Sequence, residues 1–542
     1  MAQPFVTTPG HSPRRCAARV APLLRSLLAV LVLAGLTGCG SGPRILPREE
    51  RKVIDRKLIE RPSGFDVELF AVGLDQPIAT TFDGDGNLII AEAGMNRCEP
   101  RIYGFTPDAR RFDIYPFAKP LVPFLRKGTR LYGPVGGILV HNSTVYVSHR
   151  DENDFGVISA LDYKGGIKTI VSGLPAQGEN GVTDLAIDNR SGRLYFGVGS
   201  ATNSGVVGID DHQIGWPKHH PAFHDVFYTP DKPMKLLGRR FDSRNPAALW
   251  LMPDIAVTAP FQAFGQSTNT LISGATRESP KCNSAIFSVM PDGGDLRVEA
   301  HGIRLPRGLA FNEFGTLYFT NQGMELRGTR PVKDDPDVLA RLFPGAWYGA
   351  FDFSTDLQPI SNPRFQPPLK SILPTGYPDL SFLINHAESG LVAPDDRFAK
   401  NAILGVMPSQ SGAAGMEFAP PDGPFRQFAG SAIVALSGDR WPFSASGEKL
   451  KGSIGFKLVR VDVDRAQVRD FVRNVQDGPS SRQGGGDQLL ERPVDVKFGP
   501  DGALYILDLG EMEVVDGQVK SRSNTGRIYR VIPSREAATR GP

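Results

Sequence analysis

Residues 493–510 read PVDVKFGPDGALYILDLG. Val494, Val496 and Phe498 alternate with Asp495 and Lys497, the period of a strand with one buried face. After a turn that ends at Gly502, ALYILDL supplies a second apolar run, so the whole reads as a hairpin. The same shape recurs in PIATTFDGDGNLIIAEAG (77–94), GVTDLAIDNRSGRLYFGVGS (181–200) and PRGLAFNEFGTLYFTNQG (306–323), with Gly86, Gly192 and Gly315 at the turns. Looser copies are GPVGGILVHNSTVYVSH (133–149) and GAAGMEFAPPDGPFRQFAGSAIVAL (412–436). A lone hairpin cannot bury its apolar face, so repeated hairpins stack on one another. The expected fold is all-β: a six-bladed propeller of four-stranded antiparallel blades, with seven blades as the alternative.

The 60 glycines and 45 prolines among 542 residues argue against long helices. Residues 58–542 read as one propeller domain, and the proline-rich stretch 329–401 as a long insertion on one face. Residues 1–38 contain Arg14, Arg15, Arg19 and Arg25, then LLAVLVLAGL, and no acid. That is the pattern of a signal peptide. It ends in Leu36-Thr37-Gly38-Cys39, which looks like the lipobox of bacterial lipoproteins, with Cys39 as the lipid acceptor. Arg14-Arg15 invites a twin-arginine reading but lacks most of the residues that flank such a signal. The charged run over 39–57 reads as a flexible tether.

Loss of those four arginines takes the net charge from +3 to −1, which removes any basic excess for nucleic acid. Cys16 leaves with the leader; Cys98 and Cys282 remain as a disulfide pair or as two buried thiols. DGDGN at 83–87 lacks the glycine and glutamate of a calcium loop and reads as a turn. There is no Gly-x-Ser-x-Gly elbow and no His-Glu-x-x-His run. His212, His219, His220 and His224 crowd one segment, but their spacing fits no common zinc pattern.

Polar residues beside the hairpins converge on the central channel of a propeller. Asn180, Ser200, Asn203, Arg304, Gln322 and Arg492 hold those positions. Arginines aimed at such a pocket point to an anionic ligand, unless each is engaged in a rim contact.

With these residues in view, the chain resembles the glucose/sorbosone dehydrogenase family, the soluble pyrroloquinoline quinone (PQQ) sugar dehydrogenases. The resemblance runs from about Phe65 to Val531. It is carried by VSHRDEN (147–153), GVGSATNSGVVGIDD (197–211), HGIRLPRGLAF (301–311), NQGMELRGTRPV (321–332), GAWYGAFDF (345–353), GFKLVRVDV (455–463) and ERPVDVKFGPDGALYILDLG (491–510). It implies PQQ over the channel beside a calcium ion, a histidine that takes the sugar's anomeric proton, and an arginine that stabilises the quinone oxygen. Arg304 matches that arginine. Gln322, Gly323 and Met324 match the segment that holds cofactor and calcium, with Gly323 and Met324 at the metal. Arg492 matches a second cofactor-facing arginine, and Tyr348 begins the match to a pocket-shaping Tyr-Gly-Trp-Pro motif.

Three positions depart from the family pattern. Asn180, in Gly178-Glu179-Asn180, stands where similar members carry histidine. Leu305 replaces an asparagine, and Tyr348-Gly349-Ala350-Phe351 replaces Tyr-Gly-Trp-Pro. Asparagine cannot take a proton near neutral pH. Glu179 is the candidate substitute, given a carboxyl raised by partial burial.

The leading expectation is therefore an envelope-anchored PQQ- and calcium-dependent sugar or aldehyde dehydrogenase, periplasmic or surface-facing, that serves an external electron acceptor. The alternatives are a non-catalytic propeller that binds a carbohydrate or protein partner and, more remotely, a calcium-dependent lactonase. Cys39→Ala is expected to move the full chain from the membrane to the soluble fraction, as read by fractionation and blotting.

Overall fold

The expected hairpins are the inner halves of antiparallel sheets. The computed structural model describes residues 42–95, 99–116, 130–246, 254–367, 380–445, 452–515 and 517–534. The leader 1–38, Cys39 and Cys98 lie outside the described residues. Six large sheets form the blades of a propeller. Their innermost strands are Pro77–Phe82, Tyr132–His141, Val182–Ile187, Pro306–Phe311, Ala413–Phe418 and Pro493–Phe498, numbered here as blades 1 to 6. Each pairs with the strand that follows it in its hairpin, and neighbouring innermost strands meet in a closed ring. The turn glycines Gly86, Gly192, Gly315 and Gly502 all have φ between 71° and 78°.

Blade 6 joins the two ends of the propeller. Phe65–Leu74 pairs antiparallel with Gly526–Pro533, which lies on Leu504–Asp508. Between blades, side chains reach across to backbone. Ser148 Oγ donates to Thr183 O at 2.6 Å, Thr183 Oγ1 to Pro306 O, and Thr320 Oγ1 to Ala414 O at 2.9 Å. Glu417 accepts from Phe498 N at 2.9 Å, and Asp495 from Thr80 N at 2.9 Å. The blades approach so closely that a Cβ on Gly137 would lie 2.7 Å from Asp184 Cα, and one on Gly415 would lie 2.2 Å from Asp495 Oδ1. Glycine there is set by the neighbouring blade.

Two domain boundaries differ from the sequence reading. The tether expected over 39–57 is docked from Arg44 onward: Arg44–Ile45 pairs with Ala71 and Val72, and Leu46 and Ile54 are buried. Phe65–Leu74 would otherwise present an open sheet edge, and these apolar residues cover it. Within the insertion expected over 329–401, Asp337–Arg341 is the third strand of blade 4, paired with Leu317–Asn321. Flanking prolines and aspartates masked so short a strand. The excursion proper is 342–402, which leads into the outermost strand Ile403–Met407.

A second excursion, 199–284, separates the second and third strands of blade 3 and was not legible as an insertion. The two share a core of Phe227, Met234, Phe261, Phe351, Leu383 and Ile384, to which Met324 contributes. This apolar cap lies beside the channel and fixes the loops at its mouth.

Ile528, fully buried in the closing strand, tests the closure. Ile528→Ala is expected to lower unfolding stability by about 2–5 kcal/mol in denaturant titration. Truncation before Gly526 would expose the edges of Leu504–Asp508 and Phe65–Leu74 and is expected to abolish the cooperative transition.

Candidate functional site at the channel mouth

In each blade the innermost strand leaves the same face to which the second strand returns, so the loops at these ends meet at one mouth. They bring Glu179 and Asn180, Asn203 and Asp210, Arg304, Gln322 to Arg327, Arg440 and Arg492 to the same face. The centre of this set is Arg327, whose side chain is 2% exposed. Its Nη2 binds the Glu179 carboxylate at 2.6 Å, Nη1 binds Asp210 Oδ2 at 2.5 Å, and Nε binds Glu325 Oε2 at 2.5 Å. Phe443 covers the guanidinium at 4.7 Å. Arg440, 31% exposed, adds contacts to Glu179 at 3.2 Å and Glu325 at 2.7 Å.

These charges decide the state of Glu179. Burial alone would raise its carboxyl, but Arg327, Arg440 and Arg304 outweigh burial and hold it below the ordinary value. The raised base expected from sequence is therefore absent; Glu179 is an anchored anion. Glu325 follows the same logic and is lowered to about 2, the three arginines overcoming burial. Asp210, with one guanidinium and with Glu179 nearby, is raised by burial.

Asn180 sits at the mouth as a hydrogen-bonding group. Its Nδ2 donates to Ser200 O at 3.0 Å and to Ser200 Oγ at 3.4 Å. A Cβ on Gly199 would lie 2.6 Å from Asn180 Cβ, so this turn is tightly fitted. Beneath it, Asp225 accepts from Ala201 N at 2.7 Å and Thr202 Oγ1 at 2.6 Å, and burial pushes its carboxyl up to about 6.

Among the described residues Arg304 has no direct carboxylate partner. Nε donates to Asn203 O at 2.9 Å, Nη2 to Asn203 Oδ1 at 3.1 Å and Nη1 to Gln322 O at 3.4 Å. Burial lowers its pKa while Glu179 and Glu325 oppose the shift. Gln322 is held by its Nε2, which donates to Ala413 O at 2.7 Å. The amides of Gly323 and Met324 donate to Asp337 and Asp335 at 2.9 and 2.7 Å. Their carbonyls receive no hydrogen bond among the described residues.

Two expected cofactor contacts take other roles. Tyr348 is buried among Leu309, Phe319 and Val338, and its hydroxyl donates to Arg341 O at 2.5 Å. The Tyr348 ring is thus a wedge at the base of the 342–402 excursion. Arg492 Nη1 donates to Ser437 O and Asp439 O, each at 3.0 Å, and its guanidinium lies over Phe456. Arg492 therefore ties down the loop that carries Arg440, while its buried Nε has no partner among the described residues.

The crowded histidines disperse: His220 Nε2 bonds Asp154 at 2.8 Å, His212 packs edge-on to Phe264, and His224 Nδ1 bonds Asp225 O. Cys282 is fully buried, which raises its thiol. Asp210, Glu325, Arg327 and Arg440 escaped sequence reasoning. Glu325 and Arg327 lie inside NQGMELRGTRPV, but nothing local marks them as partners of Glu179.

No family model and no curated protein matches the sequence. Solved structures do match. The chain is similar to a carbohydrate-active enzyme of family AA12 from Trichoderma reesei, at 14% identity and a TM-score of 0.48, covering 88% of this chain and 98% of that one. It is similar to the PQQ domain of pyranose dehydrogenase from Coprinopsis cinerea, at 14% identity, TM-score 0.45 and the same coverages of 88% and 98%. A PQQ-bound aldose sugar dehydrogenase from Streptomyces coelicolor matches at 15% identity and TM-score 0.43, over 87% and 99% of the two chains.

Arg327→Met leaves three buried carboxylates without their shared cation and is expected to lose about 3–5 kcal/mol of stability. Glu325 is lowered on folding, so its contribution is full above the unfolded value of about 4.3 and is lost as pH falls toward about 2. The stability gap between wild type and Glu325→Gln, followed by denaturant titration from pH 7 downward, is therefore expected to close in acid.

Proposed function

We propose that the protein is an envelope-anchored sugar or aldehyde dehydrogenase-like propeller whose channel mouth takes up PQQ and calcium and serves an external electron acceptor. The observation that carries this reading is the pairing of unmet cationic and carbonyl groups at one mouth. Among the described residues Arg304 is a buried guanidinium hydrogen-bonded only to neutral oxygens. Beside Arg304, the carbonyls of Gly323 and Met324 accept no hydrogen bond among the described residues. Guanidinium groups suit the carboxylates of the quinone, and carbonyl oxygens suit calcium. The residues thus fit both groups, with Arg304 toward the cofactor and Gly323 and Met324 toward the ion.

PQQ, when bound, supplies a two-electron acceptor for hydride from the sugar carbon. The chain supplies position and charge. Arg304, fixed by both Asn203 oxygens and by Gln322 O, needs no rearrangement to meet negative charge that develops in front of it. Asn180 can orient a sugar hydroxyl but cannot remove its proton. Glu179 is held as an anion by Arg327 and Arg440 and is turned into the protein.

The missing base favours a second reading, a propeller that binds a carbohydrate or protein partner without oxidising it. Titration of the full protein with calcium and PQQ separates the two. Bound-quinone absorbance with dye-linked oxidation of aldoses is expected for the dehydrogenase, and no quinone uptake would leave the binding module. Asn180→His is expected to increase dye reduction, by up to about 10²–10⁴-fold for a restored general base.

A further inference from the structure

A cleft of about 260 Å³ opens at the outer rim of blade 5, on the side of blade 6, and shares no residue with the channel mouth. It is walled by the third and fourth strands of blade 5, Lys457–Asp462 and Gln467–Asn474, and by residues 60–62, which lead on to blade 6. Its charged lining residues are Arg61, Arg460, Arg469 and Arg473 with Glu60 and Asp470. Four arginines against two carboxylates leave two positive charges in excess.

The ion pairs of the cleft show where that excess sits. Glu60 accepts from Arg473 Nε and Nη2, both at 2.8 Å. Asp470 pairs with Lys457 Nζ at 2.6 Å and lies 3.5 Å from Arg473 Nε. Arg61 is held by Asp66 at 3.0 Å and by the carbonyls of Ile59 and Phe65, each at 3.3 Å. Arg460 and Arg469 have no carboxylate partner among the described residues. The Arg469 guanidinium donates to Gln467 Oε1 at 3.2 Å, and that of Arg460 lies 5.2 Å from the centre of the Phe428 ring.

These two arginines stand directly opposite each other in the antiparallel pair, so their side chains leave the same face of the sheet. Like charges in that arrangement repel and destabilise the pairing. Both remain open to solvent, Arg469 exposed and Arg460 half-buried, so an anion in the cleft can reach them. A tetrahedral dianion presents oxygens to both guanidinium forks and cancels both charges. A carboxylate would neutralise only one of them, and an uncharged ligand neither.

We propose that this cleft is a binding site for a phosphomonoester dianion, bridged between Arg460 and Arg469. Phe428, beside Arg460, gives the organic part of such an ester an aromatic wall. The same group can arrive on a soluble phosphorylated compound or on a lipid headgroup, and the two arginines meet it in the same way. The site does not depend on what the channel mouth binds.

Calorimetric titration of the full-length protein with inorganic phosphate and with acetate, at constant ionic strength and without quinone or calcium, tests the site. Phosphate is expected to bind and acetate to bind more weakly. Arg460→Gln and Arg469→Gln are each expected to weaken phosphate binding about tenfold. Arg469 is exposed, so its variant keeps the test open should Arg460→Gln fail to fold. Arg304→Gln, at the channel mouth, is expected to leave phosphate binding unchanged. Sedimentation with phosphatidylcholine vesicles, with and without phosphatidic acid, separates the sources. Extra binding to phosphatidic acid in the wild type, absent from Arg469→Gln, without uptake of free phosphate assigns the group to a lipid. The proposal is overturned if neither free phosphate nor phosphatidic acid is bound, if acetate binds as tightly as phosphate, or if binding is lost in Arg304→Gln and kept in Arg469→Gln.

Discussion

The pairing of Phe65–Leu74 with Gly526–Pro533 is the constraint on which the rest of the molecule depends. An open row of blades would leave an exposed apolar face at each end, and closure buries both. Because Leu69 faces Tyr529 and Val67 faces Val531, the register inserts the amino-terminal strand into the core of blade 6 beside Ile433, Leu504 and Ile506. Closing so long a loop carries an entropic penalty that grows only slowly with length, so a well-packed strand can offset it. Once the ring is closed, every innermost strand begins at the same face, and the loops there have nowhere to go but inward.

That convergence creates an electrostatic problem, which the mouth resolves with charge balance. Arg327 and Arg440 meet Glu179, Asp210 and Glu325 directly, and Arg304 acts on Glu179 and Glu325 through space. Such a set adds little net stability over an apolar core, yet removal of one member leaves a buried charge exposed to its neighbours. Its structural effect is to lock loops from blades 3, 4 and 5 in one arrangement. Its chemical effect is to fix Glu179 as an anion, so whatever the mouth binds meets Asn180 and Arg304 rather than a carboxylate base.

Much of the fold was legible because its signals are local. Alternation within a strand and a glycine at the turn are set by neighbours in sequence, and every expected hairpin became the inner pair of a blade. The excursions were harder. Residues 199–284 and 342–402 bury their apolar groups against each other rather than in a periodic face, so neither shows helix or strand periodicity. The amino-terminal run 44–57 looks solvated by composition, and only Leu46 and Ile54 reveal that it covers a sheet edge.

The sequence by itself determined an all-β chain of repeated hairpins, the turn glycines, and the asparagine at position 180 with its inability to take a proton. Those properties follow from residue type and local spacing. Tertiary structure alone decided the state of Glu179, because its partners Arg327 and Arg440 lie 148 and 261 residues away. It also turned Tyr348 into a core wedge and Arg492 into a loop anchor. A pKa or a hydrogen-bond partner depends on distance in space, and in a ring closed between its first and last strands that distance is not written in the order of residues.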